Sequence, residues 1–349
     1  MYHKQDDPMP HHNIALLGFG NVGQALARLL LRKRLEMQSH YDLTFTVTGI
    51  STGRHGAAID HQGLDLEKAL SIMAAGGSLN ALSQQPLPDT PFDFIRFCGA
   101  SVLFESIPVN YETGQPAIDY LRTALEAGMH TITANKGPVV HAYRELTSLA
   151  KARGVRFYFE SAVMDGAPIF SLFRETLPAA QLKSFHGILN STTNLILTHM
   201  EAGQSFEEAV KYAQSIGIAE TDPSGDVDGW DAAVKVAALA SVLMDVPLKP
   251  QDVDRQGIRG LTPADIAHAR GEGKRWKLIC TARREAGHVL GKVAPEMVGT
   301  DSPLYGVSGT SSVILFETDV LPGLSIVESD PGPETTAYGM LADFLNATR

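Results

Sequence analysis

The chain of 349 residues carries a formal net charge of −10, with 44% apolar and 19% charged residues. That length exceeds what one hydrophobic core usually organises and predicts two domains, in an ordinary globular composition. The acidic balance argues against a partner that presents a phosphate backbone, and no run reaches the roughly 18 apolar residues of a membrane span.

Residues 1–12, MYHKQDDPMPHH, lack the apolar core of a signal peptide and are expected to form a disordered lead-in. NIALLGFG (13–20) predicts a strand and its turn, VGQALARLLLRKRLEM (22–37) an amphipathic helix, and TFTVTGIS (44–51) a second strand, together one βαβ unit. Inside it Gly18-Phe19-Gly20-Asn21-Val22-Gly23 fits G-x-G-x-x-G in the strand-then-helix context the motif requires. Gly18 permits the tight turn, Gly20 lets backbone amides approach a pyrophosphate, and Gly23 lets helix and strand pack closely. The helix start at Asn21 and Val22 then offers N–H groups and a partial positive charge to that anion. A glycine-rich turn without a ligand is the plain alternative.

An acidic residue that binds the NAD ribose would close the second strand, but Ser51, Thr52, Gly53 and Arg54 stand there. Arg54 suits a 2′-phosphate, so NADP is the expected cofactor with NAD still open, although a solvated loop arginine would look the same.

The stretch 74–91 is turn-rich. FIRFC and SVLFESI (within 94–107) follow as β-like runs, then a helix over 117–128, the strand HTITANK (130–136), a helix over 139–154 and the strand VRFYFES (155–161). Past about residue 165 the pattern changes. QLKSFHGILN (181–190), HVLGKVAPEMV (288–298), SVILFETD (312–319) and LSIVES (324–329) predict a second sheet, residues 190–247 are mostly helical, and 334–347 form a closing helix. The fold class is α/β: a Rossmann dinucleotide-binding domain over 13–162, an α+β substrate and dimerisation domain over 163–328, and 329–349 returning to the first domain. Two cysteines, Cys98 and Cys280, sit in separate apolar runs, as buried thiols of a reducing compartment do, so a cytoplasmic location is expected.

The segment GDVDGWDAAVK (225–235) places Asp231 and Lys235 one turn apart on a helix starting near Gly229. As a surface ion pair they would contribute a few tenths of a kcal/mol, on the order of any exposed i,i+4 pair. Yet Glu220, Asp222, Asp226 and Asp228 crowd the same segment with only Lys235 to compensate, which favours a bound cation or polar ligand. Ser191, Thr192 and Thr193 make a good helix N-cap and need no substrate to justify them. His186 and His199 have no partners at metal-ligand spacing.

The segment 213–239, AQSIGIAETDPSGDVDGWDAAVKVAAL, resembles the signature of homoserine dehydrogenases, as do HGILNSTTNLIL (186–197) and ITANKGP (132–138), in collinear order after the glycine turn. The resemblance implies interconversion of L-homoserine and L-aspartate 4-semialdehyde with NAD(P), in threonine and methionine biosynthesis. It implies that Glu220, Asp226 and Thr192 hold the amino acid, that Lys235 and Asp231 sit at the reacting oxygen, and that Lys136 is a second candidate acid or base on the cofactor side. Ser106 and Gly332 would approach the cofactor. A monovalent cation, Na or K, would be held by Glu160 and by backbone carbonyls of Val163, Asp165 and Ala167, although Met164 and Asp165 replace the small residues usual there. The family further implies a homodimer; this chain, ending at Arg349 straight after the closing helix, is expected to be a short form without the C-terminal regulatory domain. Two other readings share these residues: a related oxidoreductase acting on another small amino or hydroxy acid aldehyde, and a non-catalytic dinucleotide-binding sensor.

Overall fold

The computed structural model describes residues 9–349, which divide into two units: 9–138 with 142–161 and 333–349, and 139–141 with 162–332. The first contains β1 (His11–Leu17), α1 (Asn21–Tyr41), β2 (Thr44–Ser51), β3 (Ala57–Ile59), α2 (Leu66–Ala74), α3 (Pro91–Phe97), β4 (Val102–Glu105), α4 (Ala117–Glu126), β5 (His130–Thr133), α5 (Lys136–Arg153) and β6 (Phe157–Tyr158). Its six strands lie in the order β3-β2-β1-β4-β5-β6. All pairs are parallel except β2 with β3. Ile14, Ala15, Leu16 and Leu17 are all buried, because successive residues of β1 face opposite sides of a sheet covered on both faces. Strand order reverses between β1 and β4, so the carboxyl ends of those strands form the crevice where open α/β sheets take ligands.

The second unit contains β7 (Leu182–Ile188), α6 (Ser191–Glu201), α7 (Phe206–Ser215), α8 (Ser224–Val227), α9 (Trp230–Leu243), β8 (Asp254–Arg255), α10 (Pro263–Gly271), β9 (Arg275–Glu285), β10 (His288–Val298), β11 (Ser312–Thr318) and β12 (Leu324–Glu328). Its sheet has the order β12-β11-β7-β9-β10-β8. The pairs are antiparallel apart from β10 with β8. The last helix, α11 (Pro333–Ala347), belongs to the first unit and packs its Met340, Leu341 and Phe344 into the same core as Leu26 and Leu30 of α1. Phe344 meets Phe104 edge-on with ring centroids 5.6 Å apart.

Several elements depart from the sequence expectation. Of the expected lead-in, residues 1–8 lie outside the described residues, while His11 and His12 already pair in β1 with Thr44 and Phe45. FIRFC is not a strand but the end of α3. The Thr90 hydroxyl accepts from the Asp93 N–H at 3.1 Å and Pro91 occupies the first turn, and this start signal overrides the β-rich composition. The strand β9 went unread because Lys277, 0% exposed, interrupts its apolar pattern; its ammonium is instead satisfied by the Val307 carbonyl at 2.7 Å and Asn194 Oδ1 at 3.2 Å. Ser191 does not cap α6; Asn190 does, its Oδ1 accepting from the Thr193 N–H at 2.8 Å.

Cys98 and Cys280 are free and buried, and burial pushes their thiols up to about 11 and about 12. Among the described residues no helix is long and apolar enough to cross a membrane. Phe344→Ala is expected to destabilise the first unit by about 3–5 kcal/mol, the usual cost of a buried aromatic truncation, and a thermal melt checks it.

Candidate active site

In the first unit the glycine turn joins β1 to α1. Gly18 has φ +104°, and a Cβ there would lie 2.6 Å from the Ser106 carbonyl oxygen; one on Gly23 would lie 2.3 Å from the Gly18 oxygen. These two glycines are demanded by close packing. Gly20 differs, since it is exposed and a Cβ would meet nothing within 4 Å. Gly20 also precedes α1 with no side chain capping the helix, whose first residues Asn21 and Val22 are exposed and half-buried. Uncapped N–H groups beside open space fit an anionic diphosphate. The Ser106 hydroxyl donates to the Gly18 carbonyl at 3.2 Å, and the Gly18 N–H donates to the Ser51 carbonyl at 2.9 Å, so the turn is held from β4 and β2 together. Arg54 is exposed in the turn after β2, a turn closed by the Thr52 hydroxyl on the Gly56 carbonyl at 3.0 Å.

Lys136 opens α5 immediately after its N-cap Asn135, with its ammonium 5.7 Å from the centre of the Tyr111 ring. Glu105, at the end of β4, was not foreseen. It is 0% exposed, and burial raises its carboxyl to about 7, opposed by hydrogen bonds from Thr133, the Ile107 N–H and Asn135.

In the second unit the β7–α6 turn gathers the carboxylates. The Asn190 amide donates to Asp226 Oδ1 at 2.7 Å and to Asp231 Oδ2 at 3.0 Å. Lys235 Nζ lies 3.3 Å from Asp231 Oδ2 and donates to the Leu189 carbonyl at 2.6 Å. With side chains only 8% and 15% exposed, Asp231 and Lys235 are no surface pair, and desolvation removes most of the stability such a contact would give. Burial, and next the charge of Asp231, raise the Asp226 carboxyl above its usual range, opposed by Asn190, Thr192 and Lys235. Thr192 is buried, with its hydroxyl 3.4 Å from the Ile218 carbonyl.

The structure therefore brings Thr192, Asp226, Asp231 and Lys235 together through Asn190, which sequence reasoning missed although it stands directly before the quoted serine and threonines. Glu220 lies exposed at the surface, its carbonyl held by Gln214 at 3.1 Å. The expectation that Lys235 alone compensates the acidic segment is corrected: Arg259 pairs with Asp228 at 2.8 and 3.2 Å, and Arg255 stacks 3.8 Å over the Trp230 ring. His199 hydrogen-bonds Gln204 at 3.1 Å, while His186 faces outward from β7.

Met164 and Asp165 both adopt left-handed backbone, with φ of 55° and 44°. A conformation that glycine would supply without strain is thus kept by two side-chain-bearing residues. Glu328 faces this segment, its Oε1 3.4 Å from the Gly166 N–H. Burial and then Asp165 raise its carboxyl to about 7, with Lys235 opposing. Glu160 is buried and its N–H donates to Asp343 at 2.6 Å; the Ala167 carbonyl accepts from the Ile169 N–H at 2.9 Å. Gly332 is half-buried immediately before α11, with open space where a Cβ would stand. Among the described residues no three His, Cys, Asp or Glu side chains group as metal ligands.

A parallel sheet with a glycine turn at its switch point defines a dinucleotide-binding protein of Rossmann type, here joined to a second unit with a buried carboxylate–ammonium pair. Residues 18–160 match the family model for the NAD binding domain of homoserine dehydrogenase, and residues 168–345 match that for homoserine dehydrogenase itself. The chain belongs to the homoserine dehydrogenase family. It is 38% identical over 335 residues to the homoserine dehydrogenase of Methanocaldococcus jannaschii, covering 96% of this chain and 98% of the relative. It is 35% identical over 339 residues to the NAD(+)-dependent homoserine dehydrogenase of Pseudomonas canavaninivorans, covering 97% and 96%. A hyperthermophilic archaeal homoserine dehydrogenase solved in complex with NADPH superposes with a TM-score of 0.83 at 28% identity, covering 97% of this chain and 98% of that one.

Asn190→Ala would leave Asp226 and Asp231 close together without their shared donor. Turnover is expected to fall and stability to drop by about 1–3 kcal/mol, measurable by assay and melt. For Glu105, the folded state holds its proton more tightly than the unfolded chain, where the carboxyl titrates near 4.5. The stability this gives is full below that value and lost as pH rises through about 7, a change of about 3 kcal/mol. The melting temperature of Glu105→Gln is expected to decline less between pH 5 and 8 than that of the wild type; equal declines would contradict this.

Proposed function

We propose that this chain interconverts L-homoserine and L-aspartate 4-semialdehyde with a nicotinamide dinucleotide, on the route to threonine and methionine. The observation that carries this is the buried Asp231–Lys235 pair, held by Asn190 and the Leu189 carbonyl within a chain of this family. The cofactor, when bound, carries the hydride to or from the carbon that bears the reacting oxygen. Lys235 hydrogen-bonds that oxygen as negative charge grows on it and supplies its proton during aldehyde reduction, while Asp231 keeps the ammonium oriented. Asp226, Thr192 and Glu220 receive the amino acid, whose ammonium requires oxygen acceptors. Lys136, from the dinucleotide-binding unit, assists as a second proton-handling group.

The cofactor reading rests on Gly18, Gly20, Asn21, Val22, Gly23, Ser106 and Gly332, with Arg54 receiving a 2′-phosphate and so favouring NADP. A monovalent cation held by Glu160 and the carbonyls of Val163, Asp165 and Ala167 completes the reading, since an oxygen-only donor set suits a hard cation. A homodimer through the second sheet is supported by Leu290 on β10 and Val327 on β12, 56% and 60% exposed. A cytoplasmic location is supported by the two free thiols.

Lys235→Ala and Asp231→Ala are each expected to cut turnover by about a hundredfold or more while cofactor affinity stays near wild type; full turnover in both sinks the mechanism. A panel of small aldehydes tests the substrate: a strong preference for one other than aspartate semialdehyde would favour a retuned pocket around Met164 and Asp165. Arg54→Ala should weaken NADPH by about tenfold and leave NADH nearly unchanged, in binding titrations of each.

A further inference from the structure

The dinucleotide-binding unit contains a buried ionisable group that the mechanism above does not use. Glu105 ends β4, and its carboxylate joins two loops at the carboxyl edge of the sheet. Oε1 accepts from the Ile107 N–H at 2.8 Å, and Oε2 accepts from the Thr133 hydroxyl at 2.5 Å. The Thr133 hydroxyl in turn accepts from the Asn135 N–H at 2.9 Å, and the Asn135 side chain, itself bonded to Glu105, caps α5 by accepting from the Gly137 N–H at 3.0 Å. On the other side, Ser106 follows Glu105 directly and locks the glycine turn through the Gly18 carbonyl. Gly18, Ser106, Glu105, Thr133, Asn135 and Lys136 therefore form one bonded sequence across two strand ends.

A carboxyl group is a costly way to fill that space. Desolvating it opposes folding, and an apolar side chain of the same size would avoid the cost. Its advantage is an acceptor with two oxygens able to serve three donors from two separate loops, which fixes both loops against each other.

We propose that Glu105 is a positioning residue that sets the Ser106 loop and the Asn135–Lys136 turn in one register, and so presents cofactor-binding and proton-handling groups together. This rests on the reading of Ser106 and Lys136 given above. It assigns Glu105 no contact with substrate.

The test uses the full chain with Glu105→Ala, Glu105→Gln and Thr133→Val, each checked for folded fraction and melting temperature. Dissociation constants for NADPH and NADH are measured by titration without amino acid, and kcat and KM by assay. In the folded Glu105→Ala protein, affinity for the preferred cofactor is expected to fall about tenfold and kcat about tenfold, with KM for homoserine changed less than about twofold. Glu105→Gln recovers most of the cofactor affinity, because its carbonyl oxygen still accepts from Ile107. Thr133→Val moves in the same direction as Glu105→Ala, and the double variant is no worse than Glu105→Ala alone, as expected of residues acting through one another. Wild-type cofactor affinity and kcat in a merely less stable Glu105→Ala protein would overturn the proposal, as would additive losses. If Glu105→Ala does not fold, Thr133→Val carries the same two outcomes. Full turnover in Lys136→Ala would remove the role given to that lysine, while the cofactor titrations would still decide on Glu105.

Discussion

The carboxylate–ammonium cluster of the second unit depends on one amide group. Asn190 sits where β7 turns into α6, and its nitrogen donates to two carboxylates that would otherwise face each other with no hydrogen between them. A buried carboxylate and a half-buried one that share a donor repel more strongly than they would in water, and a donor fixed between them offsets that cost. The same turn supplies the Leu189 carbonyl to Lys235, so a single change of chain direction holds both charges of the ion pair. Asn190 also caps α6, which ties the orientation of the cluster to the start of a helix.

The helix α9 contributes in a different way. It is buried along nearly its whole length, and Asp231 and Lys235 are the charged residues on it. Such a helix cannot rotate to expose them without breaking its apolar contacts, so the pair is held rigid by packing. Its start is shaped by Gly229 at φ +81°, and the flanking Asp228 is neutralised by Arg259 outside the cluster. Charge crowding in the sequence is thereby sorted into one pair that is solvated and structural and one that is buried and chemically placed.

A similar economy holds at the edge of the parallel sheet. Gly18 and Gly23 are glycines because neighbouring backbone leaves no room for a Cβ, whereas Gly20 is one where nothing crowds it. Packing accounts for the first two; Gly20 is instead the N-cap of α1, a position that glycine suits, and it leaves open space beside the uncapped N–H groups. In the turn that precedes β7, Met164 and Asp165 keep a left-handed backbone at some conformational cost and stand beside Glu328, a carboxyl that also feels the charge on Lys235.

Much of this was legible in the chain itself. Glycine spacing, the strand-then-helix context, the alternation of strands with helices and the i,i+4 spacing of Asp231 and Lys235 are local properties, and local sequence determines them. Periodicity failed where the fold buries a charge, since Lys277 hid β9, and β-rich composition failed at 94–98, where the cap at Thr90 and Pro91 starts a helix. Tertiary structure alone decided which carboxylates meet. Asn190 and Asp231 are 41 positions apart, Glu105 and Thr133 are 28 apart, and no sequence period links residues whose proximity comes from chain crossings. A sequence specifies what each residue can donate, accept or bury, but the return path of the backbone decides which of those capacities are used.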